Sequence, residues 1–117
     1  MKKLLFVYNA NAGKAQIKTH LATIIDIFIK EGYDVTVRPT QKKLDAYDEI
    51  RSRAGEFDLV VCSGGDGTLN ESVNGIIDSG TDTRLGYIPS GTVNDFAVSL
   101  GIPKDMPQAA EIAVTGR

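Results

Sequence analysis

The sequence predicts an α/β protein with three layers, in which helices cover both faces of a doubly wound and mainly parallel sheet. Four short apolar runs of strand length are separated by segments whose apolar residues recur at every third or fourth position. Strands joined by helices of this length cannot be hairpin partners, so we expect them to pair in parallel through right-handed crossovers.

The first strand is predicted over residues 4–9, LLFVYN, because this apolar run stops at the polar, glycine-containing turn NANAG. A helix is predicted next, over residues 15–31, since apolar side chains fall at positions 17, 21, 24, 25 and 28 and Gly32 follows. The second strand is predicted over residues 33–37, YDVTV, ahead of Pro39. Residues 42–54 then predict a helix with three apolar positions at helical spacing, Leu44, Tyr47 and Ile50.

The second half of the chain repeats this order. Residues 57–62, FDLVVC, predict the third strand, and the helix after it places Leu69, Val73, Ile76 and Ile77 on one face. Residues 85–88, LGYI, predict the fourth strand. A short helix, DFAVSL, is predicted before Gly101, and a last helix begins near Pro107, a residue suited to the first helical turn.

Composition limits the possible functions. A chain of 117 residues with 42% hydrophobic content has the size of one compact domain. Its formal net charge is −2, and Lys and Arg form no cluster, which argues against nucleic-acid binding. Cys62, the single cysteine, lies in an apolar run and predicts a buried thiol in a reducing cytosol. We expect neither a secretory leader nor a membrane span, since the apolar runs are short.

Two turns share the pattern Gly-Thr-x-Asn-acid, GGDGTLNE at residues 64–71 and GTVND at residues 91–95. Each follows a predicted strand and precedes a predicted helix, at the edge where doubly wound sheets bind ligands. Thr68 with Glu71 forms the pattern of a capping box, and Thr92 with Asp95 is similar. Glycines at 64, 65, 67 and 91 allow phosphate oxygens to approach the backbone N–H groups at a helix start.

A purely structural interpretation stays open for these turns, because any strand-to-helix connection uses glycines and caps. Capping does not explain Asp66, whose carboxylate would repel a bare phosphate unless Mg²⁺ bridged the two. Asn70 and Asn74 lie one helical turn apart, so packing and ligand contact are equally compatible with them. Lys14, at the end of the loop NANAGK, is placed to reach a phosphate, although the Walker motif is absent. His20 is expected to be an exposed helix residue without chemistry.

Three segments carry a family resemblance: NANAGK near the start, GGDGTLNESVNG in the middle, and IPSGTVNDFAVSLGIP after the fourth strand. Together they resemble the catalytic domain of diacylglycerol kinases and related bacterial lipid kinases. The wider superfamily contains sphingosine, ceramide and NAD kinases and, more remotely, phosphofructokinases, whose N-terminal domain has the predicted fold. The residues that follow GGDGT look like the lipid-kinase branch.

The resemblance implies an ATP-dependent diacylglycerol or lipid kinase that uses Mg²⁺. It ties Asp66 to catalysis and, directly or through Mg-ATP, to the metal, and it has Asn94 and Asp95 hold the cleft. Without it, PTQKK, which contains Thr40, predicts only a loop. The ATP contacts that it implies are Asn9, Ala10, Gly13, Lys14, Thr40, Gly64, Gly65, Asp66, Gly67, Thr68, Asn70, Glu71 and Thr92.

The chain departs from the family in two respects. Many relatives have Asn-Pro-x-Ser-Gly in the first loop, whereas Ala10 and Ala12 stand here, so a hydroxyl donor to phosphate is lost at Ala12. Relatives also carry a second, mostly β domain with the general base, a structural metal site and much of the lipid pocket. We therefore expect residues 1–117 to be the nucleotide-binding catalytic domain without that second domain, and to be inactive alone.

The resemblance further implies a diacylglycerol-like lipid substrate, a cytoplasmic protein that meets the inner membrane face peripherally, and a homodimer when full-length. No nucleic-acid partner is expected. Two other functions stay open at this point, a non-catalytic nucleotide-binding module and an NAD kinase.

Overall fold

A computed structural model describes residues 2–10, 16–89 and 106–115. Its four strands form one all-parallel sheet in the order β2-β1-β3-β4. The strands are β1 Lys2–Tyr8, β2 Tyr33–Pro39, β3 Leu59–Gly64 and β4 Arg84–Pro89. The helices are α1 Gln16–Lys30, α2 Asp45–Arg53, α3 Asp66–Ser79 and α4 Met106–Thr115, with one 3₁₀ turn at Ala54–Glu56.

The sheet is covered on both faces, which confirms the predicted three-layer α/β fold. On one face, α1 and α4 pack over Leu4 and Phe6, and Phe28 of α1 meets the Phe6 ring edge-on at 5.4 Å between centroids. On the other face, α2 and α3 pack over Leu5 and Val7. The continuous burial of residues 4–8 follows from this double cover, because a central parallel strand has no solvent face.

The predicted strand bounds shift where polar residues take part in the ladder. β1 begins two residues early, since Lys2 and Lys3 pair with β2 although their side chains are exposed. β3 begins at Leu59 and runs through Ser63 to Gly64, so the first glycine of the GGDGT turn belongs to the strand. The predicted helix DFAVSL and the second Gly-Thr turn lie outside the described residues.

Two helix predictions were partly wrong. Helix α2 begins at Asp45, and Leu44 precedes it in a left-handed conformation, φ 69°, with its side chain 52% exposed. In α3, Val73 and Ile77 are exposed. The buried face of α3 instead carries mostly small residues, Thr68, Leu69, Ser72 and Gly75, because α3 packs closely against α2. The prediction for α1 was confirmed, with Ile17, Ile24 and Phe28 buried.

Two further predictions concern single side chains. Cys62 is fully buried, and this burial raises the pKa of its thiol to about 12. His20 is partly buried on α1, whereas we expected it to be exposed. No helix in the described part of the chain is long and apolar enough to span a bilayer.

Gly75 lies at a close contact between α2 and α3. A Cβ at this position would lie 3.1 Å from Ile50 Cβ and 3.1 Å from the Tyr47 backbone oxygen. Contacts this short require one of the helices to move, because backbone oxygen has no alternative rotamer. Glycine is therefore needed here for helix packing.

We predict that Gly75→Val lowers the free energy of unfolding by about 1–3 kcal/mol, because the added side chain overpacks the α2–α3 contact. The matched control is Asn74→Val at the adjacent, exposed position of the same helix, which should change stability by less than about 0.5 kcal/mol. Urea denaturation of the three proteins measures both effects. Equal stability of the two variants would contradict the packing argument.

Candidate functional site

The carboxyl edge of the sheet places two predicted site residues side by side. Beyond the end of β1, the Asn9 N–H donates a hydrogen bond of 3.0 Å to the Ser63 oxygen of β3. Beyond the end of β2, the Thr40 N–H donates one of 2.8 Å to the Tyr8 oxygen of β1. The ladder thus continues one residue past both strands, so Asn9 and Thr40 have positions fixed by backbone bonds.

A cavity of about 360 Å³ opens at this edge, between the strand ends, the start of α2 and the start of α3. It contains five of the residues that the sequence predicted for the site, from three separate parts of the chain. The full lining is Asn9, Thr40, Gln41, Lys42, Lys43, Ala46, Gly67, Thr68 and Glu71.

The first turn of α3 presents its backbone N–H groups at the cavity. Gly65 is the N-cap residue, and the first intrahelical bond runs 3.1 Å from the Leu69 N–H to the Gly65 oxygen. The N–H groups of residues 66–68 come before that bond and have no acceptor within the helix. Together with the positive end of the helix dipole, they make this turn a favourable place for an anion.

The predicted capping box at Thr68 and Glu71 was wrong. The helix starts at Asp66, so Thr68 is its third residue. The N-cap residue is Gly65, which makes no side-chain hydrogen bond to cap the helix. Thr68 is instead buried. A Cβ on Gly64 would lie 2.5 Å from the hydroxyl oxygen of Thr68. The contact between Thr68 and Gly64 therefore helps to set the position of α3 relative to the end of β3. The similar pattern at Thr92 and Asp95 lies outside the described residues.

The glycines of GGDGT divide into two kinds. Gly64 is required by packing, since a Cβ there would collide with Thr68, and its oxygen accepts a hydrogen bond of 2.8 Å from the Tyr87 hydroxyl. A Cβ on Gly65 or Gly67 would meet no atom of the described residues within 4 Å. Packing among the described residues gives no reason for glycine at these two positions, which leave the approach to the helix start open.

Asp66 has a structural role that the sequence analysis overlooked. Its exposed carboxylate belongs to the first turn of α3, where a negative charge interacts favourably with the helix dipole. The residue is therefore explicable without a metal. The described residues contain no group of three or more His, Cys, Asp or Glu side chains that would hold a metal ion by themselves.

Not all predicted residues reach the cavity. Ala10 packs against the core under α1 and α4. Asn70 lines a separate depression between α2 and α3, together with Asn74 and with Glu71, which borders both spaces. Gly64, Gly65 and Asp66 adjoin the cavity in sequence but do not line it. Gly13, Lys14 and Thr92 lie outside the described residues, as do Asn94 and Asp95.

One side of the cavity was not predicted from the sequence. Gln41, Lys42 and Lys43 line it with Thr40, and we call residues 40–43 the wall segment. The two lysines are exposed and bring positive charge to the cavity. A signal was available, since a basic pair begins three residues after a strand that ends at the ligand-binding edge.

The chain is similar to known proteins over nearly its whole length. Residues 3–117 match the family model described as the diacylglycerol kinase catalytic domain. The chain belongs to this family.

Its relatives include a diacylglycerol kinase of Bacillus subtilis, 41% identical over 99% of this chain, and one of Staphylococcus epidermidis, 39% identical over 98%. The solved structure of a putative diacylglycerol kinase from Bacillus anthracis superposes with a TM-score of 0.88 at 31% identity over 99% of this chain. The chain spans 39%, 37% and 42% of the lengths of these three proteins. The diacylglycerol kinase match thus covers the whole fold described above and less than half of each relative.

We predict that Gly64→Ala lowers the free energy of unfolding by about 1–3 kcal/mol, because its methyl group would displace the Thr68 side chain and with it the start of α3. Gly67→Ala, three residues away, should leave stability unchanged or raise it, since its methyl group meets open space within a helix. Thermal and urea unfolding compare the variants. Equal destabilisation by both would show that the two glycines do not differ in this way.

Proposed function

We propose that this chain is the nucleotide-binding part of a lipid kinase, which holds ATP while its γ-phosphoryl passes to a lipid hydroxyl such as that of diacylglycerol. Membership of the diacylglycerol kinase family supports the reaction class. The identity of the donor, of the lipid and of the residues that contact them forms the proposal.

The observation that carries this proposal is the space that the described residues leave open over Gly65 and Gly67, next to the N–H groups of residues 66–68, which have no acceptor within α3. A chain of phosphates can accept hydrogen bonds from several of these N–H groups at once. Lys42 and Lys43 add cationic charge across the same cavity. Its volume of about 360 Å³ falls in the range of small-molecule sites, and its open rim leaves room for a longer ligand.

We assign the phosphates to the turn at residues 64–68 and the remainder of the nucleotide to the cavity beside Asn9, Thr40 and Glu71. The family resemblance adds the first loop, with Gly13 and Lys14, and Thr92 of the second Gly-Thr turn. Ala10 and Asn70 stand further from the cavity, so their assignment rests on the resemblance alone.

The acidic side chains at this edge are compatible with Mg²⁺ that arrives with the nucleotide. Mg²⁺ is commonly bound by one or two carboxylates together with substrate phosphates, and Asp66 and Glu71 are the two carboxylates in the first two turns of α3. When bound, the ion offsets negative charge on the phosphates. The chain's own contribution is to fix the donor with the N–H groups of the α3 turn and the lysines of the wall segment.

We further propose that residues 1–117 form a nucleotide-binding domain whose lipid pocket and general base belong to a second domain of the full-length protein. The greater length of the relatives supports this division. The acceptor would then be met at the cytoplasmic face of a membrane, and the chain alone would have no appreciable lipid kinase activity.

Calorimetric titration of the chain with Mg-ATP, together with kinase assays on the complete protein, tests the proposal. We expect saturable binding of Mg-ATP and phosphorylation of diacylglycerol in mixed micelles. Binding without phosphorylation of any lipid would favour a non-catalytic nucleotide module. Phosphorylation of NAD in place of lipid would identify an NAD kinase, and the absence of any nucleotide binding would overturn the proposal.

Gly67→Ala should weaken Mg-ATP binding by at least tenfold without a loss of stability, because its methyl group would occupy the approach to the helix start. The control is Asn74→Ala, an exposed substitution two turns further along α3, which should leave the affinity unchanged. Calorimetry of the three proteins measures the dissociation constants. An unchanged affinity of the Gly67→Ala variant would show that the ligand does not bind at this turn.

Asp66→Asn should lower kcat of the complete protein by at least a hundredfold, on the order of the effect of losing a group that stabilises transition-state charge. Folding should be retained, since the exposed side chain loses only its interaction with the α3 dipole. The matched control is Asp48→Asn, which removes an exposed carboxylate from the first turn of α2. Normal turnover of the Asp66→Asn enzyme would show that Asp66 has a structural role and no catalytic one.

A further inference from the structure

We propose that Asp45 is a positioning residue, which holds the wall segment in place and thereby determines how tightly the cavity binds nucleotide. The inference rests on the proposed function and extends it to a residue that does not line the cavity.

The Asp45 carboxylate joins the segment to the fold at two points. Its Oδ2 accepts a hydrogen bond of 2.7 Å from the Gln41 N–H, inside the wall segment. Its Oδ1 lies 3.5 Å from Nη2 of Arg38, near the end of β2. The residue is only 7% exposed, and a carboxylate buried to this extent is stable in a fold when it is paired and hydrogen-bonded. One side chain thus links β2, the wall segment and the start of α2.

Among the described residues, few other hydrogen bonds hold the wall segment, and one of them runs 3.2 Å from the Gln41 side-chain amide to the Pro39 oxygen. Its first residue, Thr40, is fixed by β1 through the bond to the Tyr8 oxygen. Its last residue is followed by Leu44, which adopts the left-handed conformation at φ 69° without being glycine. That conformation is unfavourable for a leucine and persists when surrounding bonds enforce it. The Asp45 N–H contributes one such bond, 3.2 Å long, to the Lys42 oxygen.

The consequence for the site is geometric. Gln41, Lys42 and Lys43 line the cavity, but their side chains are exposed and give the segment little burial of its own. If the carboxylate is removed, the Gln41 N–H loses its acceptor and the segment can leave the position that brings the lysines to the cavity. A positioning loss of this kind weakens substrate binding more than it slows a bound substrate.

Asp48 provides a matched control on the same helix turn. Both residues place a negative charge in the first turn of α2, so both interact favourably with the helix dipole. Asp48 is exposed, however, and its carboxylate does not line the cavity. Asp48→Ala therefore removes the same charge from the same turn and leaves the bonds to Gln41 and Arg38 intact.

Two substitutions at Asp45 separate its roles. Asp45→Ala removes both the acceptor for Gln41 and the partner of Arg38. Asp45→Asn keeps an amide oxygen that can accept from the Gln41 N–H and loses the charge beside Arg38. If nucleotide affinity depends on the hydrogen bond from the Gln41 N–H to residue 45, the asparagine variant should retain most of the affinity that the alanine variant loses.

The test is calorimetric titration of the chain with Mg-ATP for wild type, Asp45→Ala, Asp45→Asn and Asp48→Ala. We expect Asp45→Ala to weaken binding about tenfold or more, the size expected from the loss of a hydrogen bond to a charged group. Asp45→Asn should weaken it by less, and Asp48→Ala should not change it. In the complete protein, KM for ATP should rise in Asp45→Ala while kcat stays within about twofold, a division that a general loss of stability would not produce.

Amide hydrogen exchange at Gln41 provides an independent measurement, since this N–H should exchange faster in Asp45→Ala than in wild type. If Asp45→Ala does not fold, the asparagine variant decides, and faster Gln41 exchange without weaker binding in that variant overturns the inference. Unchanged affinity of Asp45→Ala, or an equal loss in Asp48→Ala, also overturns it. Failure of the wild-type chain to bind Mg-ATP would instead overturn the proposed function, and this inference with it.

Discussion

The parallel pairing of β1 with β2 on one side and β3 on the other is the interaction on which the rest of the structure depends. It aligns Tyr8 with Pro39 and with Ser63, so β1 and β2 end at the same level and β3 ends one residue later. The ladder then continues to Asn9 and Thr40, which fixes the backbone of both residues at the carboxyl edge. Every group that lines the cavity is placed relative to these strand ends, either directly or through the helices that follow them.

The glycines in the turn between β3 and α3 meet two different requirements, close packing and access to the helix start. Packing requires Gly64, because the buried Thr68 side chain fills the space that a Cβ would need. No such contact among the described residues requires Gly65 or Gly67, and both leave the start of the helix accessible. In this motif one glycine is therefore required by packing, and two leave open the approach to N–H groups that have no acceptor within the helix.

Much of the fold could be predicted from the sequence, since buried parallel strands appear as apolar runs and α1 has a regular apolar face. The prediction failed where small or polar residues make the contacts. Helix α3 buries Ser72 and Gly75 in place of Val73 and Ile77, because a close approach to α2 leaves no room for larger side chains. A metal was predicted at Asp66 because the capping box placed the helix start at Thr68, whereas Asp66 already belongs to the first turn of α3.

The same limit applies to the site. The glycine-rich turn and Asn9 could be found from motifs that follow strands, and the cavity brings them together. Residues 41–43 of the wall segment were missed although their basic pair was visible in the sequence, because the position of these residues depends on a tertiary contact. Asp45 accepts a hydrogen bond from the Gln41 N–H after the chain has turned through Leu44. Spacing alone does not reveal a turn that is enforced by a buried carboxylate.

The central claim is that the carboxyl edge of the sheet binds a nucleotide, and amide chemical shifts during titration with Mg-ATP test it most directly. The account predicts shifts at Asn9, in the wall segment and at residues 65–71. The opposite edge has a larger depression, lined by Gly55, Asp58 and residues 80–84 among others, and its amides should not move. Shifts at that opposite edge, or none at saturating Mg-ATP, would contradict the account.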